Sequence, residues 1–317
     1  MRAIRYHETG GPEVLQLDDL DAPDPGHGEV RIEARAIGVN PVDTYFRTGE
    51  YAPPELPMIP GSDVAGVVDA VGEGVDGFAE GDRVYATGLG SDRQGTYAER
   101  VVAPAGLVAE LPEGVSFAEG AAMALVGVTA WQALVFHAGL EPAETCLVHG
   151  GSGGVGHVAV QLAAATGARV VTTASEAYHD HLRDLGAHAV LDYRRDDLAD
   201  AVRSAGAPDV ILDTITNEYF PFDAEVAAER ARIVGIGNTA SEATVPMGPS
   251  KGKDLRFQLM SMYNTDDTSA VLSRLARLMA TGSVVPEVAR TYPLAEASRA
   301  QRDVLGESFL GKLVLEP

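Results

Sequence analysis

The stretch Cys146-Leu147-Val148-His149-Gly150-Gly151-Ser152-Gly153-Gly154-Val155-Gly156 decides how the rest of the chain is read. A short apolar run breaks into five glycines and one serine, and an alanine-rich helical pattern follows, so the order is strand, tight turn, helix. Gly151, Gly153 and Gly156 fit G-x-G-x-x-G, while Gly150, Gly153 and Gly156 fit a looser spacing of three. Either template leaves backbone N–H groups at a helix N-terminus with no side chain to block a pyrophosphate, which suits a dinucleotide. Gly150-Gly151-Ser152-Gly153-Gly154 also fits G-x-S-x-G, the turn that presents the nucleophilic serine of a hydrolase. That reading explains neither Gly156 nor the nucleotide-type strand pattern downstream.

Working outward, the spacing predicts a helix over 155–166, a strand over 169–173, a helix ending near Leu185-Gly186 and a strand over 189–192. A helix near 197–204, a strand over 210–213, a helix after Pro221 and a strand over 232–236 continue the alternation, and 256–262 can supply a sixth strand. Strands alternating with helices indicate a parallel sheet. Before the turn, 117–138 reads as a helix with Ala121, Leu125, Val128, Trp131, Gln132 and Val135 spaced for one buried face. The residues up to 119 are rich in glycine and proline, with short alternating segments such as Glu29-Val30-Arg31-Ile32-Glu33-Ala34-Arg35-Ala36, and read as a β-rich domain. A helical pattern through Val271, Leu272, Leu275, Leu278 and Met279 follows the last predicted strand.

A chain of 317 residues with 45% hydrophobic content is long enough for two domains of ordinary size. The longest apolar runs, 121–128 and the stretch 158–165 interrupted by Gln161, fall short of the roughly 20 residues that span a bilayer. Met1-Arg2-Ala3-Ile4-Arg5 leads into polar sequence without a signal-peptide core, so a cytoplasmic protein is expected. One cysteine excludes an internal disulfide and any multi-cysteine metal cluster, and Cys146 reads as a small hydrophobe of a buried strand. The formal charge is -22, and Lys251, Lys253 and Lys312 are the only lysines. That balance fits an acidic enzyme, or one adapted to a salt-rich cytoplasm where a Debye length of about 3 Å at 1 M salt screens self-repulsion. Either way it repels nucleic acid and anionic membrane, and neither is expected as a partner.

Three segments of the β-rich part carry a resemblance. They are Gly38-Val39-Asn40-Pro41-Val42-Asp43-Thr44-Tyr45, then Pro57-Met58-Ile59-Pro60-Gly61-Ser62-Asp63-Val64-Ala65-Gly66-Val67-Val68, then Gly81-Asp82-Arg83-Val84-Tyr85. With the glycine turn and the ending Gly311-Lys312-Leu313-Val314-Leu315, the chain resembles, nearly end to end, the zinc-free quinone oxidoreductase (zeta-crystallin) branch of the medium-chain dehydrogenase/reductase superfamily. The resemblance implies an α/β protein: a Rossmann doubly wound parallel sheet over 120–264 that binds NADPH, inserted into a GroES-like β-rich catalytic domain made of 1–119 and 265–317. It also implies an active site in the cleft between the two.

Zinc enzymes of this superfamily hold a catalytic metal with cysteine and histidine, and the matching position here reads Gly61-Ser62-Asp63. With no cysteine before position 146, neither zinc site of the usual ligands can be built, so no metal is expected and hydride transfer relies on the cofactor. Asn40 and Tyr45 match polar residues lining the family's nicotinamide cleft. The Tyr45 hydroxyl is the candidate donor to a carbonyl oxygen on which charge builds. By the same resemblance, Gly150, Ser152, Gly153, Gly154, Val155 and Gly156 receive the diphosphate, Thr129 lies near the nicotinamide, and Gly235, Gly237 and Asn238 form the strand end under that ring.

Folds that prefer NAD place an acidic residue after the second strand, where this chain has Val171-Thr172-Thr173-Ala174-Ser175. Thr173 and Ser175 leave room for a 2′-phosphate, and Tyr193 and Arg194 match phosphate-side residues of the family. Many relatives carry a lysine on the following helix, whereas Glu176-Ala177-Tyr178-His179-Asp180-His181 has none. The family's Asp-x-x-Gly turn reads Asp213-Thr214-Ile215-Thr216 and receives no role here, and Lys312 is read as structural. The functional expectation is an NADPH-dependent, zinc-independent reductase of quinones or α,β-unsaturated carbonyls. The alternative is a non-catalytic, crystallin-like NADPH-binding protein. A homodimer is expected along 256–262, where Phe257, Leu259 and Ser261 alternate on a sheet edge.

Overall fold

Alternation along β3 (Glu29–Val39) shows how the β-rich part is built. Val30, Ile32 and Ala34 point into the core while Arg31, Glu33 and Arg35 point away, as a period of two requires. The structure, a computed structural model describing all residues from Met1 to Pro317, divides into two units: Met1–Val128 with Asp266–Pro317, and Thr129–Thr265. In the first unit β1 (Arg2–Arg5) and β2 (Gln16–Asp19) form an antiparallel ribbon ahead of β3. The helix α1 (Pro41–Thr48) follows β3 directly, with Pro41 at its first position, where a missing N–H costs nothing. Antiparallel pairing continues from β3 to β4 (Asp63–Val71), from β4 to β5 (Arg83–Ala86), and from β5 to β7 (Val108–Glu110), while β6 (Arg100–Pro104) also pairs with β3.

Next comes α2 (Phe117–Trp131), which runs on into a π-helical segment, Gln132–His137. Two expectations change here. Burial is not confined to one face: Ala121, Ala122, Met123, Ala124, Val126, Val128 and Ala130 are all buried, because apolar and small residues run round the whole helix. The continuous helix Phe117–His137 has 21 residues and, by length and composition, could cross a bilayer, which the count of unbroken apolar runs overlooked. With 72% of its most apolar window buried inside the protein, it is a core helix.

The second unit alternates strand and helix. It contains β8 (Thr145–Val148), α3 (Gly154–Ala165), β9 (Arg169–Thr173), α4 (His179–Asp184), β10 (Ala189–Leu191), α5 (Leu198–Ala205), β11 (Val210–Asp213), α6 (Thr216–Val226), β12 (Arg232–Gly235), α7 (Met247–Gly252) and β13 (Arg256–Leu259). All strands pair in parallel in the order β10-β9-β8-β11-β12-β13, the doubly wound arrangement whose direction of growth reverses between β8 and β11. Leu147, Val171, Ile211, Ile233 and Phe220 form its core.

Several details differ from the pattern. α6 begins at Thr216 with Pro221 inside it; the burial of Phe220 and Ala224, four positions apart on one face, outweighs the single N–H the proline removes. The carbonyls closing α6 receive the Lys253 ammonium, which donates to Ala224 O, Glu225 O and Ala227 O at 3.1, 2.7 and 2.9 Å. The edge strand β13 ends at Leu259, short of 262, because the chain turns into a 3-10 segment at Met262–Asn264 and buries Met262. Leu259 on that edge is 63% exposed.

The chain returns to the first unit through α8 (Thr268–Ala280), β14 (Val288–Pro293), α9 (Ala297–Gly306) and β15 (Lys312–Glu316). β15 lies antiparallel to β3, with Leu313 opposite Val39 and Leu315 opposite Ile37, and completes a sheet ordered β14-β15-β3-β4-β5-β7. This register brings the last strand beside Asn40.

Candidate functional site

The glycine turn is shaped by close backbone contacts that only glycine tolerates. Gly150 adopts a left-handed conformation at φ +67° and its carbonyl accepts the Gly153 N–H at 2.9 Å. A Cβ on Gly156 would stand 2.1 Å from that same carbonyl, so the first turn of α3 packs directly on the loop. Gly151 and Gly150 are tied to β9, the first by its N–H to Thr173 O at 2.8 Å, the second by its N–H to Thr173 Oγ1 at 3.1 Å. Gly153 caps α3 without a side-chain partner, so the N–H groups of Gly154, Val155 and Gly156 have no intrahelical carbonyl to reach. Half-buried Ser152 lies between Gly151 and Gly153 in the same turn.

Of the residues expected on the phosphate side, Thr173 is turned inward. It is buried and its hydroxyl serves the loop backbone. Ser175 is half-buried at the start of a short 3-10 turn, and Tyr193 and Arg194 lie on the surface after β10. Arg194 donates from Nε and Nη2 to Asp192 Oδ1 and Oδ2 at 3.0 and 2.8 Å, and this holds the Asp192 carboxyl down at about 2. Gly235 ends β12, where a Cβ would meet Thr216 Cγ2 at 2.1 Å. Gly237 O accepts both the N–H and the hydroxyl of Thr216, at 2.9 and 2.8 Å, while Asn238 is exposed and donates to Ala240 O. Thr129 is buried in α2.

A group that pattern reading passed over stands beneath the turn. The His149 ring is buried, its Nε2 is 2.8 Å from Asp223 Oδ1, and Tyr219 stacks on it with ring centres 4.4 Å apart. Asp213, at the end of β11, is also fully buried. Burial and the nearby Asp223 carboxylate push Asp213 up to about 7.

In the first unit, α1 and the ends of β3, β4 and β15 assemble a second buried polar group. Asn40 donates from Nδ2 to Asp63 Oδ2 at 2.8 Å and accepts the Lys312 ammonium at Oδ1. Lys312 also donates to Val39 O at 2.7 Å and lies 3.9 Å from Asp63 Oδ2. Asp63 Oδ1 accepts the Leu125 N–H at 3.0 Å. Asp43 Oδ2 accepts the Asn40 N–H and the Tyr97 hydroxyl, each at 2.9 Å, and burial pushes its carboxyl up to about 7. Burial lowers the Lys312 ammonium against the pull of Asp63. Tyr45 is half-buried two residues along α1 from Asp43, its ring edge-on to Tyr51, and burial followed by Glu50 raises its hydroxyl. Asp43, Asp63 and Lys312 were thus the unassigned members of the site around Asn40. A signal for two of them was present: Asp63 and Lys312 are single charged residues opening otherwise apolar strand-like segments, whereas Asp43 lies in α1.

Comparison with known proteins agrees with this architecture. The Alcohol dehydrogenase GroES-like domain pattern matches residues 26–113, and the Zinc-binding dehydrogenase pattern matches residues 185–315. The human quinone oxidoreductase is 34% identical over 326 residues, covering 99% of this chain and 97% of its own. Among solved structures, an NAD-dependent alcohol dehydrogenase superposes with a TM-score of 0.93 at 34% identity. The Escherichia coli quinone oxidoreductase complexed with NADPH superposes with a TM-score of 0.90 at 31% identity, and both matches cover the whole of each chain. Identity of this order over the full length makes the chain an oxidoreductase of the medium-chain dehydrogenase/reductase superfamily, in the company of its quinone oxidoreductases.

Proposed function

We propose that this protein transfers a hydride from NADPH to a conjugated carbonyl acceptor, a quinone or an α,β-unsaturated ketone, without a catalytic zinc. The observation that carries the reading is the glycine turn, where Gly156 pressed on Gly150 O leaves the first N–H groups of α3 open to a pyrophosphate. Preference for NADPH over NADH is supported by Thr173-Ala174-Ser175, which offers no carboxylate to a ribose 2′-hydroxyl. Arg194 supports it too: its exposed pair with Asp192 is a weak competitor for a 2′-phosphate, to which a guanidinium binds in two-pronged fashion.

Nicotinamide, when bound, supplies the hydride. The chain's own contribution is a hydrogen bond to the oxygen that becomes negative. Tyr45 suits that role, because burial and Glu50 keep its hydroxyl protonated and able to donate. Asn40 is held from both ends by Lys312 and Asp63 and so presents a fixed amide beside Tyr45's helix. A zinc-free route is supported by the residues at 61–63. Ser62 Oγ accepts the Gly88 N–H, both Asp63 oxygens already accept hydrogen bonds, and the one thiol is buried in β8. A conjugated acceptor needs no Lewis acid, since it spreads the incoming charge onto one oxygen that a single donor can stabilise.

The test follows loss of NADPH near-ultraviolet absorbance with quinones, enones and plain aldehydes. We expect turnover with the conjugated acceptors and little with the aldehydes. Tyr45→Phe should lower kcat roughly 10-fold, about 1.4 kcal/mol of transition-state stabilisation. An unchanged kcat would return Tyr45 to a packing role, and no turnover with any conjugated acceptor would leave a dinucleotide-binding protein without this activity.

A further inference from the structure

His149 ends the apolar run of β8 and opens the glycine turn, and both ring nitrogens are engaged. Nε2 lies 2.8 Å from Asp223 Oδ1 on α6, and Nδ1 lies 3.5 Å from Thr173 Oγ1 on β9. That same hydroxyl oxygen accepts the Gly150 N–H at 3.1 Å. A polar chain therefore runs from Asp223 through the imidazole to the first amide of the turn. On the other side, the Thr214 hydroxyl donates to His149 O at 3.3 Å. Asp213 lies level with His149, because Leu212 and Val148 are register partners in the β11–β8 pairing.

Two carboxylates and one imidazole buried together carry a charge imbalance. Asp213 Oδ1 accepts the Ile215 N–H at 2.7 Å, but Asp213 Oδ2 and Asp223 Oδ2 are both buried without a hydrogen-bond partner. An orphaned anionic oxygen in the interior costs the full desolvation of that group. A proton held by the carboxylate pair removes the penalty, and a proton on the imidazole lets it donate both to Asp223 and to Thr173. With both protons in place the three side chains sum to zero charge. The proposed hydride transfer uses none of them.

We propose that His149, Asp213 and Asp223 are positioning residues of the dinucleotide turn that hold two protons among three side chains, and that loss of the proton on the carboxylate pair weakens dinucleotide binding. The cluster lies at the ends of β8 and β11, where the sheet order reverses and where doubly wound folds receive their ligand. One proton fewer leaves a net negative charge under the turn that faces a pyrophosphate, in an interior where screening is weak. The raised Asp213 carboxyl, near 7, puts that loss close to neutrality. For His149, burial opposes the charge but Asp223 and Asp213 outweigh it, so the imidazole stays above its ordinary range. The ionisable groups facing Asp213 are His149 from β8 and Asp223 and Tyr219 from α6. Glu218 and Tyr193 lie around Tyr219, and β12 sets only Gly235 opposite Asp213.

This inference rests on reading the turn as the diphosphate site, and the experiment separates the two. Binding of NADH and of NADPH to the full chain is titrated by nucleotide fluorescence from about pH 6 to about pH 9. NADH is essential, because the 2′-phosphate of NADPH itself titrates near about 6. The NADH dissociation constant should rise roughly fivefold or more as pH passes through neutrality. Asp213→Asn, which keeps the acceptor for Ile215, should bind NADH with nearly the same affinity throughout. Should that variant fail to fold, wild-type calorimetry near neutral pH in buffers of different ionisation enthalpy should show net proton uptake on binding. A purely structural role would lower affinity equally at every pH. Tight NADH binding with neither pH dependence nor proton uptake overturns the inference and leaves the diphosphate site standing, as does a slope that survives in Asp213→Asn. Absence of binding at every pH removes the site itself, and the inference with it.

Discussion

The two units each bury an ionic cluster at strand ends, and they neutralise it by different means. Around Asn40 the cation is the Lys312 ammonium, and both oxygens of Asp63 accept hydrogen bonds. Around His149 the cation is an imidazole, and one oxygen on each of Asp213 and Asp223 has no partner. An ammonium is ordinarily charged over a wider pH range than an imidazole, and His149 keeps its charge because Asp223 and Asp213 outweigh its burial. One cluster takes its positive charge from a lysine and the other from a histidine, and each holds a carboxyl near 7, Asp43 in the first and Asp213 in the second. The difference lies in which cation the strand end supplies.

The largest effect that would break this contrast is on stability. Lys312→Met leaves Asp63 and the Val39 carbonyl without their cation, and breaking a buried pair in this way costs about 3–5 kcal/mol. Urea unfolding measures it. Adding Asp63→Asn should restore more than half of the loss, because the stranded charge is then gone. A double variant as unstable as the single one would mean that Lys312 acts by packing alone.

Gly156→Ala probes the turn above the His149 cluster. Its Cβ would stand 2.1 Å from Gly150 O, a backbone atom that cannot swing aside, so a cost of roughly 1–3 kcal/mol is expected. Dinucleotide affinity should fall by more than that stability loss accounts for, since the displaced carbonyl belongs to the turn proposed to receive the diphosphate. Equal stability and affinity to wild type would show that the loop has slack, and would blunt the comparison.

The smallest effect, taken per pH unit and per group, is the slope of stability against pH. Asp43 and Asp213 both sit near 7 in the folded protein against about 3.9 when unfolded. A folded-state value raised in this way contributes stability that is fully present below about 4 and is lost as pH rises through about 7, at no more than about 1.4 kcal/mol per pH unit for each group. Melting temperature should therefore decline across that window. Asp43→Asn and Asp213→Asn should each flatten it, and a flat wild-type profile would show that neither carboxyl carries a proton there.

Much of this arrangement could be read from the chain. The strands 169–173 and 210–213 occur as β9 and β11 with those bounds, because β-branched and apolar residues fill them and turn residues bracket them. The glycine turn announced itself, since no other composition meets those close approaches. The clusters did not. Lys312 reaches Asn40 across 272 residues of sequence and His149 reaches Asp223 across 74, and no local periodicity encodes such a meeting. The all-round burial of α2 escaped for a related reason: a helix wrapped on every side by other elements has no polar face to set its phase. The early start of α6 was hidden by Pro221, whose local preference is overridden by the core position of Phe220.

The way Lys253 closes α6 has a practical consequence. Its ammonium is shared among three carbonyls, Lys312 is buried, and the N-terminal amine of Met1 donates to Leu20 O at 2.6 Å. Lys251 on α7 is then the one lysine that stands in open solvent. Among the lysine side chains, an amine-reactive dye would settle mainly there, giving an optical handle on the unit that holds the glycine turn. Reagents that bridge two lysines would find no second fully exposed lysine within the same chain.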